Sequence, residues 1–188
     1  MTPDRSSEAP LAADSLPNAG EVAAILHENG WLDTERSIDA DNDAALLAWE
    51  TRAAELLGPQ ATDRDSLIGL LALVFTYDAA ALLQDAGNQA VLARAGAREV
   101  IRELAKRILD GGDIDSDRFK AIIEEMKAAV PHRSRAMFHP IRLALAGRAG
   151  EGELDRVILL LDDAMQVQFA VPVKGTRQRM LEFCASLD

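Results

Sequence analysis

The run PHRSRAMFHPIRLALAGRAGEGELDRVILLL, residues 131–161, constrains the fold more than any other stretch of the chain. It joins a helix-compatible Met-Phe-x-Pro-Ile-Arg core to a glycine-bearing loop and then to an apolar helix. A proline inside a helix removes one ladder bond and crowds the preceding turn, so few helices carry Pro140, Arg142 and a terminal Gly147 at these offsets. Two helices over this run, joined by the loop Gly147 to Leu154, are the elements around which the remaining pattern is read.

That pattern is helical almost throughout. Residues 1–19 are rich in Ser, Pro, Ala and Asp without periodicity and read as a disordered N-terminal arm. From Glu21, Val22, Ile25 and Leu26 share one face, Asn29-Gly30 reads as a C-cap, and Trp31-Leu32 anchors the following loop. A second helix is expected from Asp43 to Leu57, stopped by Gly58-Pro59. Thr62-Asp63 caps a third segment that is apolar nearly all round, with a bend expected near Tyr77. A fourth helix is expected from Gln89 to Leu109, with Arg94, Arg98, Arg102 and Lys106 spaced four apart on its outer face. Asp110-Gly111-Gly112 marks a subdomain boundary, giving one helical subdomain over 20–112 and another over 113–188. Ser116 is expected to cap a helix from Asp117 to Val130, ended by Pro131. Residues 169–173 alone look strand-like, before a last helix from Thr176 to Ser186.

Composition sets the outer limits. A chain of 188 residues hides roughly 70% of its unfolded surface, so its core requires no disulfide or metal staple. Its single cysteine, Cys184, has no partner for an intrachain disulfide, which fits a reducing, cytoplasmic setting. The N-terminus lacks the charged start and apolar core of a signal peptide, and no run reaches the apolar length of a membrane span. Net charge is −11. Residues 1–90 hold 16 acidic and 4 basic side chains, whereas residues 91–150 hold 8 acidic and 12 basic ones. The middle segment can therefore face a polyanion although the whole chain repels one.

Residues Arg135, Ala136, Met137, Phe138, Pro140, Ile141, Arg142, Ala144, Leu145, Gly147 and Leu154 stand, without a gap, in the register of a known pattern. It reads basic-Gly-basic-Ala-Leu-Phe-x-Pro-Leu-Arg-x-Ala-Leu-Thr-Gly, a short loop, then Pro-Glu-Leu. The run resembles the end of the anticodon-binding region of bacterial glutamyl-tRNA synthetases. Weaker similarity in ILHENGWLD, LLALVFTYDAAAL, AGAREVIRELAKRI and SDRFKAIIEEMKAAV extends it to about residues 21–161. The resemblance implies an all-α, two-subdomain helical bundle like the class I glutamyl-tRNA synthetase anticodon-binding region. It further implies a stand-alone module that binds tRNA, alone or in trans with a catalytic synthetase subunit. Neither a His-x-Gly-His nor a Lys-Met-Ser-Lys-Ser signature occurs, so the catalytic half is missing and no enzyme activity or cofactor is expected.

Carried over residue by residue, the resemblance places Arg142 against the anticodon loop, where a planar guanidinium donates and stacks on a splayed base. Leu154 matches a position that abuts the anticodon, and Gly147 opens the loop. Arg133, Arg135 and Arg148 supply charge for the phosphate backbone, as do His132 and the strip Arg94, Arg98, Arg102 and Lys106. The expected outcome is a cationic hollow holding Arg135 and Arg142 beside the glycine turn. Against it stand three departures: Ala146 replaces the usual Thr, Gly152 the usual Pro, and Glu151 adds a negative charge. They support a second reading, a repurposed scaffold that binds a protein partner and has lost RNA contact. For the arginine strip, the plain alternative is pairing with Glu99 and Glu103 on its own helix.

Two acidic runs imitate a calcium loop: Asp39, Asp41, Asp43 and Glu50, and Asp113, Asp115, Asp117 and Glu124. Both lack the glycine that permits the sharp turn, with Ala44 and Arg118 in its place, and acids before a helix stabilise its N-terminus without metal. No metal site is expected. His27, His132, His139 and Cys184 form no catalytic or metal-binding spacing.

Overall fold

The computed structural model describes residues 16–33 and 40–187. Ten α-helices and one short 3-10 turn make up the regular structure of the described residues, which contain no strand. The helices are α1 (Ala19–Glu28), α2 (Ala40–Leu57), α3 (Arg64–Phe75), α4 (Ala79–Gln84), α5 (Ala86–Leu92), α6 (Ala97–Leu109), α7 (Ser116–Ala129), α8 (Arg135–Ala146), α9 (Glu153–Ala164) and α10 (Thr176–Leu187). The fold is all-α, as the periodicity predicts. Most of the 1–19 arm lies outside the described residues, as do residues 34–39, and with them Asp39 of the first acidic run.

Helices α8 and α9 form the hub. In α8, Met137, Ile141, Leu143, Ala144 and Leu145 have no exposed surface, and in α9 the same holds for Leu154, Val157, Ile158, Leu160 and Leu161. A helix apolar on nearly every side belongs in an interior. Accordingly α8 packs on α5, α6, α9 and α10, while α9 packs on α2, α3, α8 and α10. Pro140 lies inside α8 and is itself buried. The helix starts from Ser134 at φ 51°, ψ −134°, with a tight turn in which the Met137 and Phe138 amides both donate to the Ser134 carbonyl.

The buried hydrophobic residues form one cluster running from Val22 to Phe183, across the Gly111-Gly112 turn. An aromatic group joins its ends. Trp31 stacks on Phe75 at 4.8 Å, while Trp49 and Phe169 meet edge to face at 5.1 Å. Trp49 Nε1 donates to the Leu160 carbonyl at 3.1 Å, and the Ala170 amide to that of Trp31 at 2.9 Å. That last bond occupies the link read as strand-like, which is irregular backbone. A β-ladder needs a partner strand, and here the chain meets aromatic side chains instead.

Three local expectations change. The expected single helix over 89–109 is two, because the chain turns at Gly96 with φ 84°. A Cβ there would lie 1.9 Å from the His132 ring, so only glycine fits. The bend near Tyr77 is a full break between α3 and α4, with Asp78 accepting from the Ala81 amide at 3.1 Å as the new cap. Finally, Asp115 and not Ser116 caps α7, accepting from the Arg118 amide at 2.7 Å. The second acidic run thus serves a helix N-terminus.

Candidate functional site

The turn between α8 and α9 gathers most of the side chains singled out in the sequence. Arg142 projects from the middle of α8 and closes a two-pronged pair with Asp155 of α9. Its Nε donates to Oδ1 at 2.7 Å and its Nη2 to Oδ2 at 2.8 Å. Nη1 donates to the Gly150 carbonyl at 2.8 Å, and the guanidinium lies 4.8 Å over the Phe138 ring. The residue is 7% exposed. Fork-to-fork geometry with a carboxylate fixes a guanidinium in plane and direction. Arg142 is thereby oriented toward its own loop.

The neighbours are paired as well. Arg135 meets Glu151 at 3.0 Å, and Arg148 meets Glu153 at 3.9 Å. Arg133 turns back on α7, donating to the carbonyls of Lys127, Val130 and His132 at 2.6–2.7 Å, where it satisfies the open end of that helix. Leu154 is wholly buried. Gly147 ends α8 in the left-handed conformation at φ 81°. Where a cationic hollow is expected, the described residues form ion pairs: Arg135, Arg142 and Arg148 face Glu151, Asp155 and Glu153, one carboxylate each. Nearby His139 is mostly buried, with its Nε2 4.0 Å from Glu151 and without a hydrogen bond. Burial, followed by the field of Arg94, holds the imidazole below its usual pKa, against an opposing pull from Glu151.

Beside this turn a groove of about 500 Å³ runs between α7, α8 and α9. Phe119, Ile123, Phe138 and Leu159 line it, with Lys120 and Arg156 among its polar residues.

The basic strip of α6 departs from its plain alternative. Glu99 accepts a hydrogen bond from His132 Nε2 at 2.9 Å, and Glu103 binds Lys106 and Arg107. Both carboxylates of the helix are therefore engaged away from Arg98 and Arg102. Arg94, Arg98 and Arg102 are exposed and carry no ion pair or hydrogen bond among the described residues. Lys106 is the one member of the strip that pairs on its own helix.

Two polar residues that periodicity passes over organise the surrounding frame. Arg179 of α10 is fully buried and donates to the carbonyls of Leu73 and Val74 at the end of α3, Leu145 at the end of α8, and Lys174. It lies 4.6 Å over the Tyr77 ring. A cation among helix C-terminal carbonyls meets the negative end of two helix dipoles. Burial lowers its pKa to about 10, so it stays charged at neutral pH. Asp162 of α9 accepts from the Ile114 amide and from the Thr176 amide and hydroxyl, each at 2.7 Å, joining three segments. A charged residue in an apolar register was the only available signal, and it does not name the partners.

Among the described residues no group of three or more His, Cys, Asp or Glu side chains is placed to hold a metal, and no helix is long and apolar enough to cross a membrane. Comparison of the chain with protein-family models, curated proteins and solved structures gives no match.

Proposed function

We propose that the chain is a non-catalytic helical scaffold that binds a protein partner in a reducing compartment, having kept a synthetase-like motif without its RNA-reading use. The observation that carries this reading is the Arg142–Asp155 fork. A base reader must present free donors to a splayed base, and here three of the guanidinium's donors are occupied within the protein. Around it Glu151 and Glu153 pair with Arg135 and Arg148, which reduces the positive charge that the turn offers to a phosphate chain. Long-range repulsion from a net charge of −11 acts in the same direction.

The competing reading, a tRNA-binding module acting alone or with a catalytic subunit, draws on the motif register and on the free arginines of α6. One pair of measurements separates the two. Affinity capture with the full chain, with and without nuclease, is expected to recover the same protein partner in both cases. Fluorescence anisotropy with total tRNA is expected to give no salt-sensitive binding tighter than about 100 μM at low salt. Tight, salt-sensitive tRNA binding together with nuclease-sensitive capture overturns the scaffold reading.

A further inference from the structure

Of the fourteen arginines in the described residues, ten have an ion pair or a hydrogen bond, and Arg94, Arg98, Arg102 and Arg156 have none. Two of those four, Arg98 and Arg102, lie on the outer face of α6, and Arg94 lies in the turn before it. Their isolation has a specific cause: Glu99 is drawn off by His132, and Glu103 by Lys106 and Arg107. On a strongly acidic chain, Arg98 and Arg102, unpaired and one helical turn apart, make a local surface of opposite sign to the whole.

The same surface has a margin of mixed polarity. Arg98 lines a shallow groove of about 360 Å³ with Leu83, Gln89, Leu92, Ser186 and Leu187, between α4, α5 and the end of α10. Arg102 follows Arg98 by one helical turn, about 6 Å along the axis, the spacing at which carboxylates four residues apart follow one another on a facing helix.

We propose that Arg98 and Arg102, with the neighbouring groove of Leu83, Leu92 and Leu187, form the docking surface for an acidic amphipathic helix of the protein partner. This rests on the scaffold reading above and names the partner's chemistry. Charge complementarity selects an anionic occupant. The half-buried leucines among the groove's polar side chains suit a peptide with both acidic and apolar side chains better than a nucleic-acid backbone, which presents phosphate and sugar and gains little from leucine contacts. The net charge of −11 acts in the same sense, since it repels an extended polyanion such as tRNA more than a short helix.

The test uses the full chain and a fluorescein-labelled 18-residue helical peptide. It has Glu at positions i and i+4 on one flank and Leu at i+3 and i+7 beside it. Its partner peptide has Gln for every Glu, and total tRNA serves as a third probe. In 50 mM NaCl the Glu peptide is expected to bind with Kd below about 50 μM, weakening several-fold by 200 mM. The Gln peptide is expected to bind at least tenfold more weakly. R98E/R102E, two exposed substitutions, should lower Glu-peptide affinity at least tenfold with an unchanged circular dichroism spectrum and Tm, and Arg156→Glu should leave it within twofold. The proposal is overturned by equal binding of the two peptides, by no binding of either, or by unaltered binding in R98E/R102E. It is equally overturned if tRNA binds in an Arg98- and Arg102-dependent way and the Glu peptide does not. Failure of this surface is distinguishable from failure of the scaffold reading. In the first case R98E/R102E still captures the wild-type protein partner, and in the second the wild type captures no nuclease-insensitive partner.

Discussion

Single side chains set the energetic extremes of this fold. Arg179 is the clearest, because its guanidinium satisfies the last carbonyls of α3 and α8, deep among residues with no exposed surface. Arg179→Met keeps the volume but orphans those carbonyls and is expected to lower stability by about 3–5 kcal/mol in urea unfolding. Arg179→Lys restores the charge but not the fork, and should recover only part of that loss. At Ser134 the effect runs the other way. Its backbone, at φ 51° and ψ −134°, is a conformation that glycine tolerates and other residues rarely enter. Ser134→Gly is therefore expected to raise stability by about 1 kcal/mol, read as a higher urea midpoint at unchanged slope. His139 gives a pH signature. Burial, with Arg94, Arg135 and Arg142 nearby, lowers its folded pKa, and Glu151 opposes them only in part. As pH falls below 6.5 the unfolded chain takes up a proton that the folded chain refuses, so stability declines until the lower folded pKa is passed. His139→Gln should flatten the decline of Tm just below pH 6.5, and an unchanged slope would show that the imidazole titrates freely in the fold.

At the scale of elements, the α8–α9 pair shows what periodicity conveys and what it withholds. The start of α3 and the ends of α7 and α8 followed from caps and breakers, because Asp63, Pro131 and Gly147 act through backbone geometry local to them. The split between α5 and α6 did not: Gly96 turns the chain at φ 84°, and the His132 ring that lies against it is 36 residues away in the chain. Pairing of Arg142 was illegible for the same reason. Asp155 lies thirteen residues on, beyond a loop whose path no spacing rule gives. What the sequence did convey was a carboxylate in the loop, Glu151, and it pairs with Arg135. The fork itself is open to a double-mutant cycle. Asp155→Ala leaves a mostly buried guanidinium uncompensated and should cost about 2–4 kcal/mol. Arg142→Met/Asp155→Ala should cost clearly less than the two single losses combined, with a coupling of at least about 1 kcal/mol. Additive losses would mean that the two side chains do not act as a pair in solution.

Over the whole molecule, the division of the sequence at Gly111-Gly112 meets a core that does not divide there. Val22, Leu67 and Leu104 on one side belong to the same buried cluster as Ile122, Ile158 and Phe183 on the other. The polar ties also cross. Trp49 Nε1 reaches the Leu160 carbonyl, Tyr77 Oη donates to that of Ala144 at 2.7 Å, and Arg179 joins α3 to α10. Separating the two stretches would expose both faces of α9, which packs on α2 and α3 as well as on α8. An interface of that kind costs too much apolar surface to open on its own, so the chain should unfold in one cooperative step. Both tryptophans, Trp31 and Trp49, precede the boundary, whereas α7 to α10 follow it and contribute heavily to the far-ultraviolet signal. Urea unfolding followed by tryptophan fluorescence and by circular dichroism is therefore expected to give one midpoint and one slope. A fluorescence transition completed while substantial helix remains would show that residues 20–112 melt as a separate unit, and would restore the two-subdomain organisation at the level of stability.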